Sequence, residues 1–133
     1  MQRPIGEGMD FLADLARRLY DRRQEAVVVP FRNCSSEAFQ PAEQDCHHNV
    51  DLWCKGHPSH VPVRGWVVFE VYTPLGLCRF IPHSVVEDED GVLFDITPSR
   101  ASRRYPFLRD ELTEEEYVLL ITSRKLVNLD HNL

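Results

Sequence analysis

An alternating apolar run, broken by turn residues, constrains this chain more than any other feature. Between Arg64 and Tyr72, side chains Trp66, Val68, Glu70 and Tyr72 fall on one side of an extended backbone, with Val67, Phe69 and Val71 on the other. Thr73-Pro74-Leu75-Gly76 supplies turn chemistry before a second extended segment at residues 77–87. A third, at 92–97, follows Asp88-Glu89-Asp90-Gly91, so the spacing predicts an antiparallel β-meander. Helical patterns flank it. Residues 9–24 carry Phe11, Leu12, Leu15, Leu19 and Tyr20 on one face, and residues 112–128 open with Thr113 and Glu116 at capping-box spacing. A further helix is expected to begin at Cys46, capped by Asp45 and ended by Gly56 and Pro58. The expected fold class is α+β: a small antiparallel β-meander packed against a central helix carrying Cys46, with N- and C-terminal helices.

With 133 residues the chain is expected to form a single domain, residues 1–133, with a core at 26–128 and a basic loop at 98–106. Its 43% apolar and 27% charged content argues against disorder. The formal charge of −6 argues against nucleic acid as a partner, because no basic patch interleaved with aromatics offsets it. No eighteen-residue apolar run exists to cross a membrane, and the N-terminus lacks the pattern of a secretory signal. A cytoplasmic location with reduced thiols at Cys34, Cys46, Cys54 and Cys78 is therefore expected. No nucleotide-binding glycine motif occurs, no cofactor is called for, and the oligomeric state is not legible.

The densest chemistry lies in Gln44–His60. A thiol at the first residue of a helix meets unpaired N–H groups and the positive end of the helix dipole, both of which favour the thiolate. Those N–H groups can also hold the oxyanion of an acyl-transfer intermediate. A thiolate nucleophile needs a base and a group that orients the base. If Val86 stands opposite Val92, His83 falls opposite Asp95 on the same sheet face, with Cβ atoms about 4.5–5.5 Å apart. A slip of one residue would send the two side chains to opposite faces.

The segment PHSVVEDEDGVLFDITP, residues 82–98, resembles the histidine–aspartate hairpin of the transglutaminase-like and papain-like cysteine enzymes. The landmarks DCHHNV, GW, HSVV and DITP also resemble, in order, those of a group of small bacterial proteins with C-H-x-N-V, G-W, H-A-V and D-x-T-P motifs. The resemblance implies a hydrolase or acyltransferase acting on an amide or acyl bond of a protein or peptide substrate, as a peptidase, deamidase or transglutaminase. Cys46 would be its nucleophile, His83 its base and Asp95 the orienting acid. Gln40 lies six residues before Cys46, as the oxyanion glutamine does in papain-like proteases, and Asn49 is an equal candidate. Glu70 is either an edge-strand charge or a helper at the site. Trp66 is read chiefly as core and, with Arg100 and Arg103, as a candidate for substrate contact.

Two rival readings use the same residues. Cys46, Cys54, His57 and His60 offer soft and borderline ligands for zinc. Against this, an unbroken helix would separate the two sulfurs by about 12 Å along its axis. The second rival is a non-catalytic interaction module presenting acidic residues 87–90 and 110–116.

Overall fold

The computed structural model describes residues 7–71, 76–100 and 104–133. The elements in chain order are α1 (Glu7–Asp21), a 3-10 turn (Arg23–Glu25), α2 (Cys46–Gly56), β1 (Val61–Val71), β2 (Leu77–Glu87), β3 (Leu93–Phe94), β4 (Phe107–Arg109), α3 (Glu114–Thr122) and β5 (Leu129–Asn132). The fold is α+β, with a β-meander at its centre. The expected turn residues Thr73, Pro74 and Leu75 lie outside the described residues.

β1 and β2 form the long antiparallel pair, with Gly65 opposite His83 and Trp66 opposite Pro82. β4 adds to the free side of β1. The other side of β2 is shared, because β5 pairs Leu77–Phe80 while β3 pairs only Val86 and Glu87. Residues 81–85 of β2 therefore lie between two short partner strands. The segment before α2 also bridges the sheet: Val27 exchanges hydrogen bonds with Phe107, while Asp95 donates to Pro30 and accepts from Arg32. These bridges curl the sheet toward itself.

Alternation along the strands gives the sheet two differently used faces. Trp66, Val68, Cys78, Phe80 and Leu108 point to one face and are covered by Leu15, Ala16 and Leu19 of α1 and by Tyr117 and Leu120 of α3. On the same face, Val50 of α2 packs against Val86, Phe94 and Ile96. The concave face holds Val63, Val85 and Phe107 with Val29. His83 and Asp95 share that concave parity.

The structure corrects three details of the expected architecture. The third strand is shorter than 92–97, since Asp95 leaves the β2 ladder for the bridge with Phe31. The C-terminal helix stops at Thr122 instead of running to Asn128. There, Lys125 takes φ 51 and Leu126 N–H closes back on the Leu120 carbonyl, turning the chain away from the helix without a glycine. The freed residues become β5. The hairpin register is also displaced by two residues, with Val86 opposite Phe94 in place of Val92. The Asp88 carboxylate accepts the N–H groups of Asp90 and Val92, and Gly91 takes φ 79, so the turn starts one residue later.

Candidate active site

The displaced register keeps parity, so His83 and Asp95 still face the same way. Asp95 follows the last ladder pair, Val86–Phe94, and the imidazole reaches it diagonally: His83 Nε2 lies 2.7 Å from Asp95 Oδ2. The carboxylate is nearly buried and fully engaged. Its Oδ1 accepts the Thr97 N–H at 3.0 Å, and Oδ2 also accepts from Arg104 Nη1 at 3.0 Å. Since Asp95 occupies Nε2, Nδ1 is the nitrogen left for the sulfur. The His83 backbone is fixed as well. The Tyr117 hydroxyl accepts the His83 N–H at 3.1 Å and donates to the Gly65 carbonyl at 2.7 Å, bridging β1 and β2.

Helix α2 brings Cys46 to the stretch of β2 left between β3 and β5. Cys46, His83 and Asp95 all line one cleft of about 850 Å³. Its walls are apolar at Val29, Val67, Ile81, Val85 and Phe107, and polar at Glu43, Gln44, Arg100 and Arg104. Asp45 occupies the helix cap position, yet its side chain makes no capping hydrogen bond. The first-turn N–H groups of α2 are thus not spent on the expected cap.

Electrostatics single out Cys46 among the four free thiols. Burial pushes its pKa up, but hydrogen bonds from His47 and His83 and their positive charge outweigh this, bringing it down to about 6. Burial raises the thiols of Cys34 and Cys54, and raises Cys78 to about 11. His83 moves the other way. Burial would lower it, but the hydrogen bonds to Asp95 and Cys46, with their negative charges, lift it to about 9. Between those values the pair stands as thiolate and imidazolium, the reactive form of a cysteine nucleophile.

The remaining sequence candidates separate clearly. Asn49 is buried, but it is not turned into the cleft as an oxyanion donor. Its amide instead ties the loop before α2 to the segment after Asp95: Oδ1 accepts Ala42 N–H at 3.1 Å, while Nδ2 donates to the Ala42 carbonyl at 2.8 Å and to Thr97 Oγ1 at 3.1 Å. Gln40 is exposed and does not line the cleft, whereas Gln44 does and takes φ 58. Glu70 pairs with Arg23 at 3.6 Å and is not a cleft residue. Trp66 is fully buried and donates to Asp110 at 2.9 Å, which assigns it to the core and not to substrate contact. Arg100 lines the cleft, with its side chain 90% exposed and paired with Glu43 at 3.3 Å. Arg103 lies outside the described residues.

The residues of the zinc reading are not gathered into one set. Helix α2 runs unbroken from Cys46 past Cys54, keeping the sulfurs about 12 Å apart along its axis. His57 stacks on Trp53 with ring centroids 3.7 Å apart, and His60 Nδ1 accepts the Trp53 indole N–H at 2.9 Å. Among the described residues, no group of three or more His, Cys, Asp or Glu is placed to hold a metal ion.

A further residue at the site has no catalytic signature in the sequence. His47 interacts with the Cys46 thiol, and its Nδ1 lies 2.6 Å from Ser84 Oγ. Adjacency to the cysteine carried no signal, because neighbouring helical residues ordinarily point in different directions. No helix among the described residues is long and apolar enough to cross a membrane. Neither a protein-family model, nor a curated protein, nor a solved structure matches the chain.

Proposed function

We propose that the protein is a cysteine-dependent hydrolase or acyltransferase acting on an amide or related acyl bond of a protein or peptide. The observation that carries this reading is the Cys46–His83–Asp95 set in one cleft, with the thiol lowered to about 6 while burial raises the other three. Structural cysteines are inert because burial holds them protonated, and this one departs from that pattern.

In the proposed reaction the Cys46 thiolate attacks the acyl carbon, forming a C–S bond and a tetrahedral oxyanion. The first-turn N–H groups of α2, the helix that begins at Cys46, supply donors for that charge. His83 Nδ1 gives its proton to the leaving amine as the C–N bond breaks, leaving a thioester on Cys46. Water or a second amine then yields a proton to Nδ1, attacks the thioester and displaces the thiolate. Asp95 holds the ring by Nε2 throughout and stabilises its charged form. Hydrolysis, deamidation and amine exchange differ only in the leaving group and the second nucleophile.

The test uses p-nitrophenyl acetate as a small acyl donor. The expected result is an acetyl adduct on Cys46 by peptide mass mapping, formed with p-nitrophenolate release and then turned over. It should be absent in Cys46→Ser and slowed at least ~100-fold in His83→Ala. Equal nitrophenolate release by wild type and Cys46→Ser would refute the proposal.

A further inference from the structure

The Cys46 thiol has two imidazole neighbours, and the reaction above uses one of them. The other, His47, is held by a chain of polar groups that reaches across the sheet. Its Nδ1 lies 2.6 Å from the hydroxyl of Ser84, a residue with no solvent exposure. That hydroxyl accepts a hydrogen bond from Arg64 Nη1 at 2.9 Å. Arg64 is fixed in turn by Asp51, at 2.6 Å, and by Glu114, at 3.0 Å. Tyr117 closes the other side of the ring edge-on, with centroids 5.9 Å apart.

This chain determines which ring nitrogen carries the proton. Arg64 can only donate, so Ser84 Oγ accepts there and has one proton of its own to place. His47 Nδ1 is the acceptor within reach, and leaving a buried hydroxyl proton unplaced would be costly. Nε2 is then the ring N–H available to the sulfur.

We infer that His47 is a positioning residue whose Nε2–H, fixed by the Ser84–Arg64 chain, hydrogen-bonds the Cys46 sulfur and holds it as the thiolate, leaving His83 to carry the mobile proton. The inference rests on Cys46 being the nucleophile proposed above. It divides the work between two histidines: His47, held by Ser84, donates to the anion, and His83, tied to Asp95, transfers the proton. The groups facing the sulfur are His47 from its own helix, His83 from β2 and Tyr117 from α3, with Asp95 behind His83 and Arg64 behind Ser84.

The experiment follows the rate of iodoacetamide alkylation of Cys46 from pH 4 to 9 by peptide mass mapping, alongside the His83 ring-proton titration by NMR. His47→Ala should move the alkylation midpoint up by about one pH unit, making alkylation near pH 5 about tenfold slower, with the His83 titration unmoved. Ser84→Ala should shift it the same way by less. His47→Gln, which keeps an N–H donor, should restore part of the wild-type midpoint. An unchanged midpoint in both His47→Ala and Ser84→Ala, or equal slowing at every pH, would overturn the inference. If His47→Ala does not fold, Ser84→Ala and His47→Gln decide it by the same readout. Failure of the underlying reading looks different: wild-type protein would then show no preferential alkylation of Cys46 at all.

Discussion

Asp95 reaches His83 from one pleat along the sheet instead of from directly across it. With Val86 opposite Phe94, the register sets Asp95 two residues along from His83, yet Asp95 Oδ2 and His83 Nε2 are 2.7 Å apart. Diagonal neighbours on one face lie within reach of long side chains, so a displacement of two residues preserves a contact that a displacement of one would abolish. Asp95 is also the point where the chain leaves β3 for the bridge with residues 30–32, so its backbone is held from a second direction.

The first prediction concerns pH. The thiol is anionic above about 6 and the imidazole charged below about 9, so the reactive pair exists between those values. Acyl transfer to p-nitrophenyl acetate should rise with pH through about 6. It should fall for any substrate whose leaving group needs the His83 proton as pH passes about 9. A rate that rises only near the ordinary thiol value would contradict the arrangement.

Asp95→Asn removes the charge that lifts His83 while leaving the side chain's shape. The alkaline limb should therefore move to lower pH, narrowing the window from that side. The acylation rate at neutral pH should drop about 10²–10⁴-fold, because the amide no longer enforces the productive tautomer. A pH–rate profile of the variant checks both effects.

Much of this was legible before any coordinates. The cap at Thr113 with Glu116 forms as a reciprocal capping box and β2 keeps its bounds, because both are fixed by local signals only a few residues apart; α2 also begins at Cys46, though without the expected Asp45 side-chain bond. β4 and β5 were not legible: three and four residues carry too little alternation, and both exist because a neighbouring strand offers an unpaired edge. The stop of α3 at Thr122 escaped for a related reason, since Lys125 takes the left-handed conformation usually marked by glycine. At the site, sequence order brought Cys46, His83 and Asp95 to attention, but the roles of Asn49 and His47 depend on partners 48 and 37 residues away.

Asn49 makes the loop–helix–strand junction its own. Replacing it by alanine leaves the N–H and carbonyl of Ala42 without these partners and Thr97 Oγ1 without its donor. Chemical denaturation of Asn49→Ala should show a loss of about 2 kcal/mol. The acylation rate should fall as well, because both Cys46 and Asp95 adjoin the loosened segments.

Gly65 is required by close approach, not by backbone conformation. A Cβ there would meet the Leu108 carbonyl oxygen and the Phe107 ring at 2.5 Å. Gly65 also supplies the carbonyl that receives the Tyr117 hydroxyl, beside His83. Gly65→Ala should destabilise the protein by about 3 kcal/mol, read as a lowered denaturation midpoint. Gly56, with open space around its Cβ direction, is the matched control and should tolerate alanine.

The most direct measurement is a competition among the four cysteines of the native protein. One equivalent of iodoacetamide near pH 7, followed by peptide mass mapping, reports which sulfur is anionic. The account predicts that Cys46 takes nearly all the label and that His83→Ala reduces this preference. Labelling spread over Cys34 and Cys54, with Cys46 no faster than either, would contradict it.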